Sequence, residues 1–544
     1  MAYKETEKSI AREEVLEKAV KILTEDRDES TLINSDYIYK VREQLLKEKY
    51  YIEIISKLKD ETIHNWKNYY ESIVTIKKPS QLRVAYLSGP NPENDLNILV
   101  KLGILPENVW AFESDNELYA LALRSILSSK FPHIKVQKSK ILEFFKTSPL
   151  KFDIIYLDFC GPIPNRNKKQ KNLPTVVTLL EKHALNSPGV LITNFSLPSI
   201  EQDLEGRNLM AKLVALYLYS KDYIEKNQEY NDGSDKFDNV DEGAICCEYT
   251  YEEWLNLITN NLNEYYGQFI TRLIMDLASY IIPNYLFASN KSYMDDYFKS
   301  KIPTESSNEE ENIYLIFQRY LSKPIISSLE SLYHLKEISS INEKRINNEG
   351  LPLYAEKDQN FIKFSKFFIN QLSPSYRPED LIIKLENLSF FMQENRVYDS
   401  EQYYTKKLQT LANIQWKRMI FQFCDVFLFH QVLEFLVRQL AVPYHINISS
   451  TKRWSYVAKE TRMFLDMFVF DECRYLYDWM PTIDNFLYSI EDVERQFILR
   501  FALDGINRHT RWYFEEYFAG TACIEKYGKK GFEYLTLERR KYIN

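Results

Sequence analysis

Three small or polar residues and one acid, each placed directly after a short apolar run, have the types and spacing to hold a nucleoside. Ser88, Gly89 and Pro90 end one such run, and a glycine at a strand-to-helix turn lets the backbone approach a ligand. Glu113 ends the next run, twenty-four residues after Gly89. A carboxylate at about this spacing accepts hydrogen bonds from both hydroxyls of a ribose in dinucleotide-binding folds. An ordinary turn at Gly89 and a solvated turn acid at Glu113 are the alternatives.

Asp158 and Phe159 follow the clearest of these apolar runs, residues 152–157. Because ligands of open α/β sheets lie at the carboxyl ends of the strands, we expect both residues beside the nucleoside site. Asp158 is the candidate catalytic residue, and Asp158 and Phe159 are both candidates for binding the ligand. A loop carboxylate bonded to nearby amides is the alternative for Asp158. Cys160 has no histidine near it in sequence and is predicted to be a small buried side chain, not a nucleophile.

The elements that would position these residues alternate between strands and helices over residues 80–200. Short apolar runs predict five strands, at 83–88, 109–112, 134–136, 152–157 and 189–195. Amphipathic segments between them predict four helices, at 96–102, 116–128, 141–145 and 173–184. This alternation is typical of a parallel sheet, so the fold predicted here is a Rossmann-like α/β domain.

The rest of the chain is predicted to be mainly helical, because its apolar residues recur at helical spacing. Residues 1–79 form a helical N-terminal extension, and residues 201–378 form a helical region with an acidic loop at 230–243. Residues 379–544 form an aromatic-rich, helical C-terminal region. The chain of 544 residues therefore divides into four predicted parts.

Two dense apolar runs in the C-terminal region, at 419–440 and 464–487, are interpreted as buried helices. Residues 449–454 are basic and aromatic, but six residues cannot establish nucleic-acid recognition, so they are interpreted as surface. The region also contains four tryptophans that are interpreted as core in preference to a binding surface: Trp416, Trp454, Trp479 and Trp512.

The composition is that of a folded protein, with 45% hydrophobic and 27% charged residues. A formal net charge of −8 argues against a uniformly basic coat for nucleic acid, although it leaves a local basic patch open. The six cysteines show no C-x-x-C spacing, and no long apolar run follows the charged N-terminus. We therefore expect a cytoplasmic protein with reduced thiols and no membrane segment. The seven histidines are scattered, and no metal site is predicted.

Residues 80–200 resemble the cofactor half of the class I S-adenosylmethionine-dependent methyltransferases. The resemblance covers about a fifth of the chain and assigns residues 88–91 to the first motif and residues 158–162 to the fourth. It makes Glu113 the ribose acid, and it implies S-adenosylmethionine over the first loop with an acceptor near the fourth motif. The cofactor loop is atypical, because Gly89 stands alone where the family has several glycines.

Three functions remain open on the sequence alone. The first is a methyltransferase with an unidentified, macromolecular acceptor, in which a carboxylate and an aromatic face at Tyr86, Phe112 or Phe159 would suit the positively charged sulfonium. The second is an inactive methyltransferase-like scaffold that contacts a protein partner or another copy of itself, which the lone glycine favours. The third is a nucleotide-sensing subunit of a larger assembly, as would suit bacterial antiviral defence.

Overall fold

The coordinates are those of a computed structural model. The residues that it describes are 6–132, 134–167, 170–218, 251–299, 358–372, 404–415, 419–420, 428–458, 460–509, 511–512, 521–528, 531–535 and 537–543. The predicted acidic loop at 230–243 and Trp416 lie outside this part of the chain. Within it, no helix combines the length and the apolar character that crossing a membrane requires.

The strands of the main sheet come from two distant stretches of sequence. Their bounds are β1 (Val84–Leu87), β2 (Val109–Glu113), β3 (Lys135–Lys138), β4 (Phe152–Asp158), β5 (Leu185–Ser196), β6 (His445–Ile446), β7 (Lys452–Ala458), β8 (Thr461–Asp471) and β12 (Lys541–Tyr542). A separate small sheet joins β9 (Arg511–Trp512), β10 (Thr521–Gly528) and β11 (Gly531–Leu535). The order along the main sheet is β12-β7-β8-β5-β4-β1-β2-β3, with β6 paired to β8.

The first five strands are parallel to one another. Their order, β3-β2-β1-β4-β5, is that of a doubly wound nucleotide-binding sheet. The central strand β4 is buried on both of its faces up to Leu157, as expected of a parallel strand that is covered by helices on each side. The predicted Rossmann-like α/β fold is therefore confirmed as a fold.

The C-terminal region continues this sheet with antiparallel strands. β8 pairs antiparallel with β5, and β7 pairs antiparallel with β8. The prediction of a buried helix is therefore wrong for residues 464–471, which form part of β8. The prediction of a surface segment is wrong for Ser450, Thr451, Arg453 and Trp454, which are buried, whereas the separate prediction of Trp454 as core is confirmed. A strand inside a sheet that helices cover on both faces is apolar on both sides, so its sequence lacks the alternation that would distinguish it from a helix.

Helices cover both faces of the sheet. In chain order they begin with α1 (Thr6–Leu23), α2 (Tyr37–Lys47), α3 (Ile52–Ile55), α4 (Asp60–Ile73), α5 (Glu93–Lys101), α6 (Asn116–Leu127), α7 (Ile141–Thr147), α8 (Asn172–Glu181), α9 (Leu204–Leu218), α10 (Tyr251–Asn260), α11 (Leu262–Asp276), α12 (Ile282–Ser289) and α13 (Lys291–Tyr297). Later helices span Gln359–Leu372, Lys406–Ala412, Leu428–Ala441, Arg474–Tyr477, Ile483–Tyr488 and Val493–His509. One core joins α1, α5 and α6 to one face, and a second core joins α7 to α12 to the other.

Helix α1 lies across the face of the sheet and contacts α5, β5 and β7. Its apolar stripe, which includes Ala11, Val15, Leu16 and Ala19, is fully buried there. Burying each Val or Leu contributes about 1.5–3 kcal/mol, so this contact fixes the helix firmly. The predicted N-terminal extension is thus helical where it is described, and its first helix is part of the cover of the sheet.

Candidate functional site

The strand order reverses between β1 and β4, and ligands of such sheets bind outside the carboxyl ends of the strands at this point. Gly89 follows β1, Glu113 ends β2 and Asp158 ends β4, so all three lie at one edge. Asn194 pairs in register with Asp158 from the neighbouring strand β5. The structure therefore brings the residues singled out in the sequence together at one edge of the sheet, beside the switch point.

The loop after β1 leaves open space beside its backbone. The Ser88 amide donates to the Phe112 carbonyl at 3.1 Å, which extends the pairing of β1 with β2. The chain then turns at Gly89, whose φ of +55° is a left-handed conformation, and Pro90 follows partly exposed. A Cβ atom at Gly89 would meet nothing within 4 Å. The backbone at Gly89 is therefore open to a ligand, and the predicted binding role of Gly89 stays a prediction.

Glu113 is held at the start of α6 by a local network. One carboxylate oxygen, Oε1, accepts a hydrogen bond from the Asp115 amide at 2.8 Å. Asp115 in turn caps α6 and accepts from the amides of Glu117 and Leu118. Glu113 therefore takes part in the turn before α6, which is the alternative role that the sequence analysis gives it. The residue is partly exposed, so this local network does not enclose it.

The Asp158 carboxylate is surrounded by donors. Its Oδ2 lies 2.9 Å from Nζ of Lys8, on α1. Its Oδ1 accepts from Nδ2 of Asn194 at 2.8 Å and from the Cys160 thiol at 3.1 Å. Burial alone would raise the pKa of Asp158, but the charge of Lys8 and these hydrogen bonds outweigh it and lower the pKa below its ordinary value. Asp158 is therefore ionised at neutral pH and is a weak base.

A second ion pair lies one helical turn further along α1. Nε of Arg12 is 2.9 Å from Oδ1 of Asp95, which lies buried in the first turn of α5. Burial raises the pKa of Asp95 to about 6, although Arg12 opposes the rise. Helix α1 thus presents two cations to two carboxylates at this edge of the sheet.

Asn194 has one buried polar atom that lacks a partner. Its Nδ2 lies 2.8 Å from Oδ1 of Asp158 and 2.7 Å from the hydroxyl of Tyr456. Its Oδ1 is buried and has no hydrogen-bond partner in the part of the chain that the structure describes. Buried carbonyl oxygens are nearly always paired, and leaving one unpaired costs about 1–3 kcal/mol. This oxygen is therefore a candidate contact for a ligand.

One of the three aromatic residues proposed for a cationic ligand lies at the edge of the site. Phe159 is partly exposed and stacks on Phe195, with ring centroids 5.4 Å apart. Tyr86 and Phe112 are enclosed in the core, so the expectation that their faces meet a ligand is wrong. Tyr86 instead donates its hydroxyl to the Pro92 carbonyl at 2.7 Å and fixes the loop after β1.

Cys160 is exposed, so the prediction of a small buried side chain is wrong. The chain leaves the sheet at this point, and Cys160 adopts a φ of +51°. Although the residue as a whole is exposed, the surrounding protein partly desolvates the thiol, and this desolvation and the nearby charge of Asp158 raise the pKa of Cys160 to about 12. The thiol is therefore protonated at neutral pH.

Sequence interpretation missed Lys8, Arg12, Asp95, Asn194 and Tyr456. Lys8 and Arg12 have the i, i+4 spacing that places two side chains on one face of a helix, which was the available signal. Nothing in the sequence indicates which acids they would meet. Among the described residues, no group of three or more His, Cys, Asp or Glu side chains is placed to hold a metal ion.

The sequence matches no known protein-family profile and no curated protein. A search of solved structures matches a chain from Clostridium thermocellum that is described as a "putative rRNA-methylase". The match has a TM-score of 0.18 and 14% sequence identity, and it covers 26% of this chain and 74% of the other. A likeness at this level carries no argument about function.

Proposed function

We propose that the chain is an S-adenosylmethionine-dependent methyltransferase. The observation that carries this proposal is the strand order of the sheet. Five parallel strands in the order 3-2-1-4-5 are followed by an antiparallel hairpin in which β8, the later strand, lies next to β5. This is the strand arrangement of the class I methyltransferases that residues 80–200 resemble. The order of the plain dinucleotide-binding sheet has a sixth parallel strand in that place.

The residues at the switch point fit such a donor. The cofactor would supply a methyl group on a positively charged sulfur. In this proposal Glu113 accepts hydrogen bonds from the ribose hydroxyls, and the open backbone at Gly89 lets the nucleoside lie close to β1. Phe159 offers an aromatic face, and the ionised Asp158 offers negative charge, both of which favour a cation.

Asp158 is assigned to electrostatics and binding, not to proton abstraction. Lys8 already pairs with this carboxylate, and its pKa is lowered, so it takes up a proton weakly. Methyl transfer depends mainly on alignment of the nucleophile with the methyl carbon, which a base assists only when the acceptor must lose a proton. In this proposal Asp158, the candidate catalytic residue of the sequence analysis, contacts the donor and does not abstract a proton.

A macromolecular acceptor remains part of the proposal. Ile200 and Leu204, four and eight residues after the end of β5, expose 62% and 57% of their surface. Exposed apolar side chains close in sequence to a binding site are typical of contact with a larger partner. The acceptor would thus enter over the end of β5, on the side of Asp158.

The inactive scaffold is the second candidate, and one observation favours it. Two acids near the switch point, Asp158 and Asp95, already form ion pairs with cations of α1. A domain that had lost its cofactor would be expected to fill the site with contacts of this kind.

Calorimetric titration with S-adenosylmethionine and S-adenosylhomocysteine distinguishes the two candidates. We expect the wild type to bind both, and Glu113→Ala to weaken binding by about tenfold to hundredfold, since hydrogen bonds to a charged group contribute about 1.5–3 kcal/mol. Glu53→Ala is the matched control, because Glu53 is an acid on α3 that is 91% exposed. No binding to the folded wild type would contradict the proposal and favour the scaffold.

A further inference from the structure

The ion pair between Lys8 and Asp158 is a partly exposed feature of the switch point of the sheet. The pair sits at the carboxyl end of β4, beside the switch point, and 19% of the Lys8 side chain and 11% of the Asp158 side chain are exposed. The apolar stripe of α1 packs on the sheet, so the backbone that carries Lys8 is held at this edge. It is also near the Cys160 sulfur, at 3.7 Å.

Asp158 and Asn194 together offer more acceptor capacity than the chain itself uses. Among the described residues, Oδ2 of Asp158 pairs with the single cation Lys8, and Oδ1 of Asn194 is buried without a hydrogen-bond partner. The amide orientation of Asn194 is fixed, because its Nδ2 must face the carboxylate of Asp158. A group with several N–H donors would satisfy both oxygens.

We infer that Lys8, Asp158 and Asn194 form a clamp for the zwitterionic α-amino-acid end of the donor. The α-carboxylate pairs with the Lys8 ammonium, and the α-ammonium donates to Asp158 and to Oδ1 of Asn194. This inference rests on the proposed function, because it assigns one part of the same cofactor. The ligand brings one charge of each sign, so the Lys8–Asp158 pair opens without leaving a buried charge unpaired.

The clamp is tested by comparing two nucleosides that differ in this end alone. S-adenosylhomocysteine carries the α-amino-acid end, and 5′-methylthioadenosine lacks it. We expect Lys8→Gln to weaken binding of S-adenosylhomocysteine by about tenfold or more while changing binding of 5′-methylthioadenosine less than about twofold. Lys8→Arg keeps the charge and is expected to retain most of the affinity for S-adenosylhomocysteine.

Lys101→Gln is the matched control. Lys101 is a lysine of α5 that pairs with Glu13 of α1 at 2.9 Å, with 73% and 52% of the two side chains exposed. Its removal takes away a contact of α1 outside the clamp, so we expect both nucleosides to bind as before. Melting curves of the variants show whether each is folded.

The outcomes separate the clamp from the proposed function. If the wild type binds both nucleosides but Lys8→Gln weakens both equally, Lys8 has only a structural role and the clamp is wrong. The clamp is also wrong if Lys8→Gln leaves S-adenosylhomocysteine binding unchanged. If the wild type binds neither nucleoside, the proposed function itself fails, and the clamp fails with it.

Discussion

Lys8 of α1 forms a 2.9 Å ion pair with Asp158 at the end of β4, although the two residues lie far apart in the sequence. The cation at the switch point therefore comes from the N-terminal helix and not from the sheet. Arg12 repeats the arrangement one turn later with Asp95. The site is thus formed by the sheet and by α1 together, and its stability and its binding properties should respond to changes in both.

The Lys8–Asp158 pair should couple the two residues energetically. Both side chains are largely buried, so removing one partner leaves the other charge without compensation. For Lys8→Ala, Asp158→Ala and the double variant, we expect a coupling free energy of about 1–3 kcal/mol in urea unfolding. The exposed pair between Lys101 and Glu13 is the control and should give a much smaller coupling, because water screens the two charges. Equal coupling in the two pairs would show that the burial of Lys8–Asp158 has no energetic consequence.

Asp95 should make stability depend on pH between about 4 and 6. Burial raises its folded pKa from an ordinary 3.8 to about 6 despite Arg12, so the folded chain holds more protons than the unfolded chain in this window. Stability from this group is therefore present at lower pH and is lost as the pH rises through 6. This pKa shift corresponds to a loss of about 3 kcal/mol in the free energy of unfolding across the window. Asp158 has a lowered pKa, so its contribution changes only at a more acidic pH.

Unfolding in urea from pH 4 to 7 measures this effect by comparison with Asp95→Asn. The asparagine cannot ionise, so all other titrating groups contribute alike to both proteins. We expect the wild type to lose stability relative to the variant as the pH increases through the window. Parallel pH profiles would mean that Asp95 titrates close to its ordinary pKa.

The Cys160 thiol should react slowly although the residue is exposed. The surrounding protein partly desolvates the thiol, and this desolvation and the charge of Asp158 raise the pKa of Cys160 to about 12. Little thiolate is therefore present at pH 8. Asp158→Asn removes the nearby negative charge, and we expect it to speed alkylation by iodoacetamide by about tenfold. Peptide mapping by mass spectrometry isolates Cys160 from the other cysteines. A wild-type rate equal to that of a free thiol would overturn this account of the site.

Gly89 should matter more to nucleoside binding than to stability. Its φ of +55° makes Gly89→Ala cost about 1 kcal/mol, and the added Cβ would project into the open space beside the loop. We expect S-adenosylhomocysteine binding to fall at least about tenfold. Gly103→Ala is the control, because Gly103 has a φ of +90° but lies in the turn after α5, where its Cβ would contact Pro79. It should lower the melting temperature and leave binding intact; equal effects on binding would show that Gly89 is only a strained turn.

The parallel half of the sheet was predictable because each strand is short, apolar and followed by a polar or small residue. β4, with its buried run ending at Asp158, is the clearest example. The placement of Gly89 and Glu113 at the same edge followed from the order of strands and helices alone. These features depend on local sequence, which a single chain contains.

The other features depend on contacts between distant segments. The sequence of residues 464–471 suggests a helix, since a strand covered on both faces carries no alternating pattern. In the structure these residues belong to β8, which even contains the fully buried Asp466, paired with Arg540. Lys8 and Arg12 look like ordinary surface cations of an amphipathic helix until α1 is placed on the sheet. No rule of spacing connects residue 8 with residue 158, so this half of the site required the structure.

Hydrogen exchange of backbone amides, measured with and without saturating S-adenosylhomocysteine, tests the central claim most directly. The account predicts slower exchange in the loops after β1, β2 and β4, at residues 88–92, 113–117 and 158–161, because a bound nucleoside would cover these backbone groups. Unchanged exchange in all three loops, or protection confined to other parts of the chain, would contradict a cofactor site at this edge of the sheet.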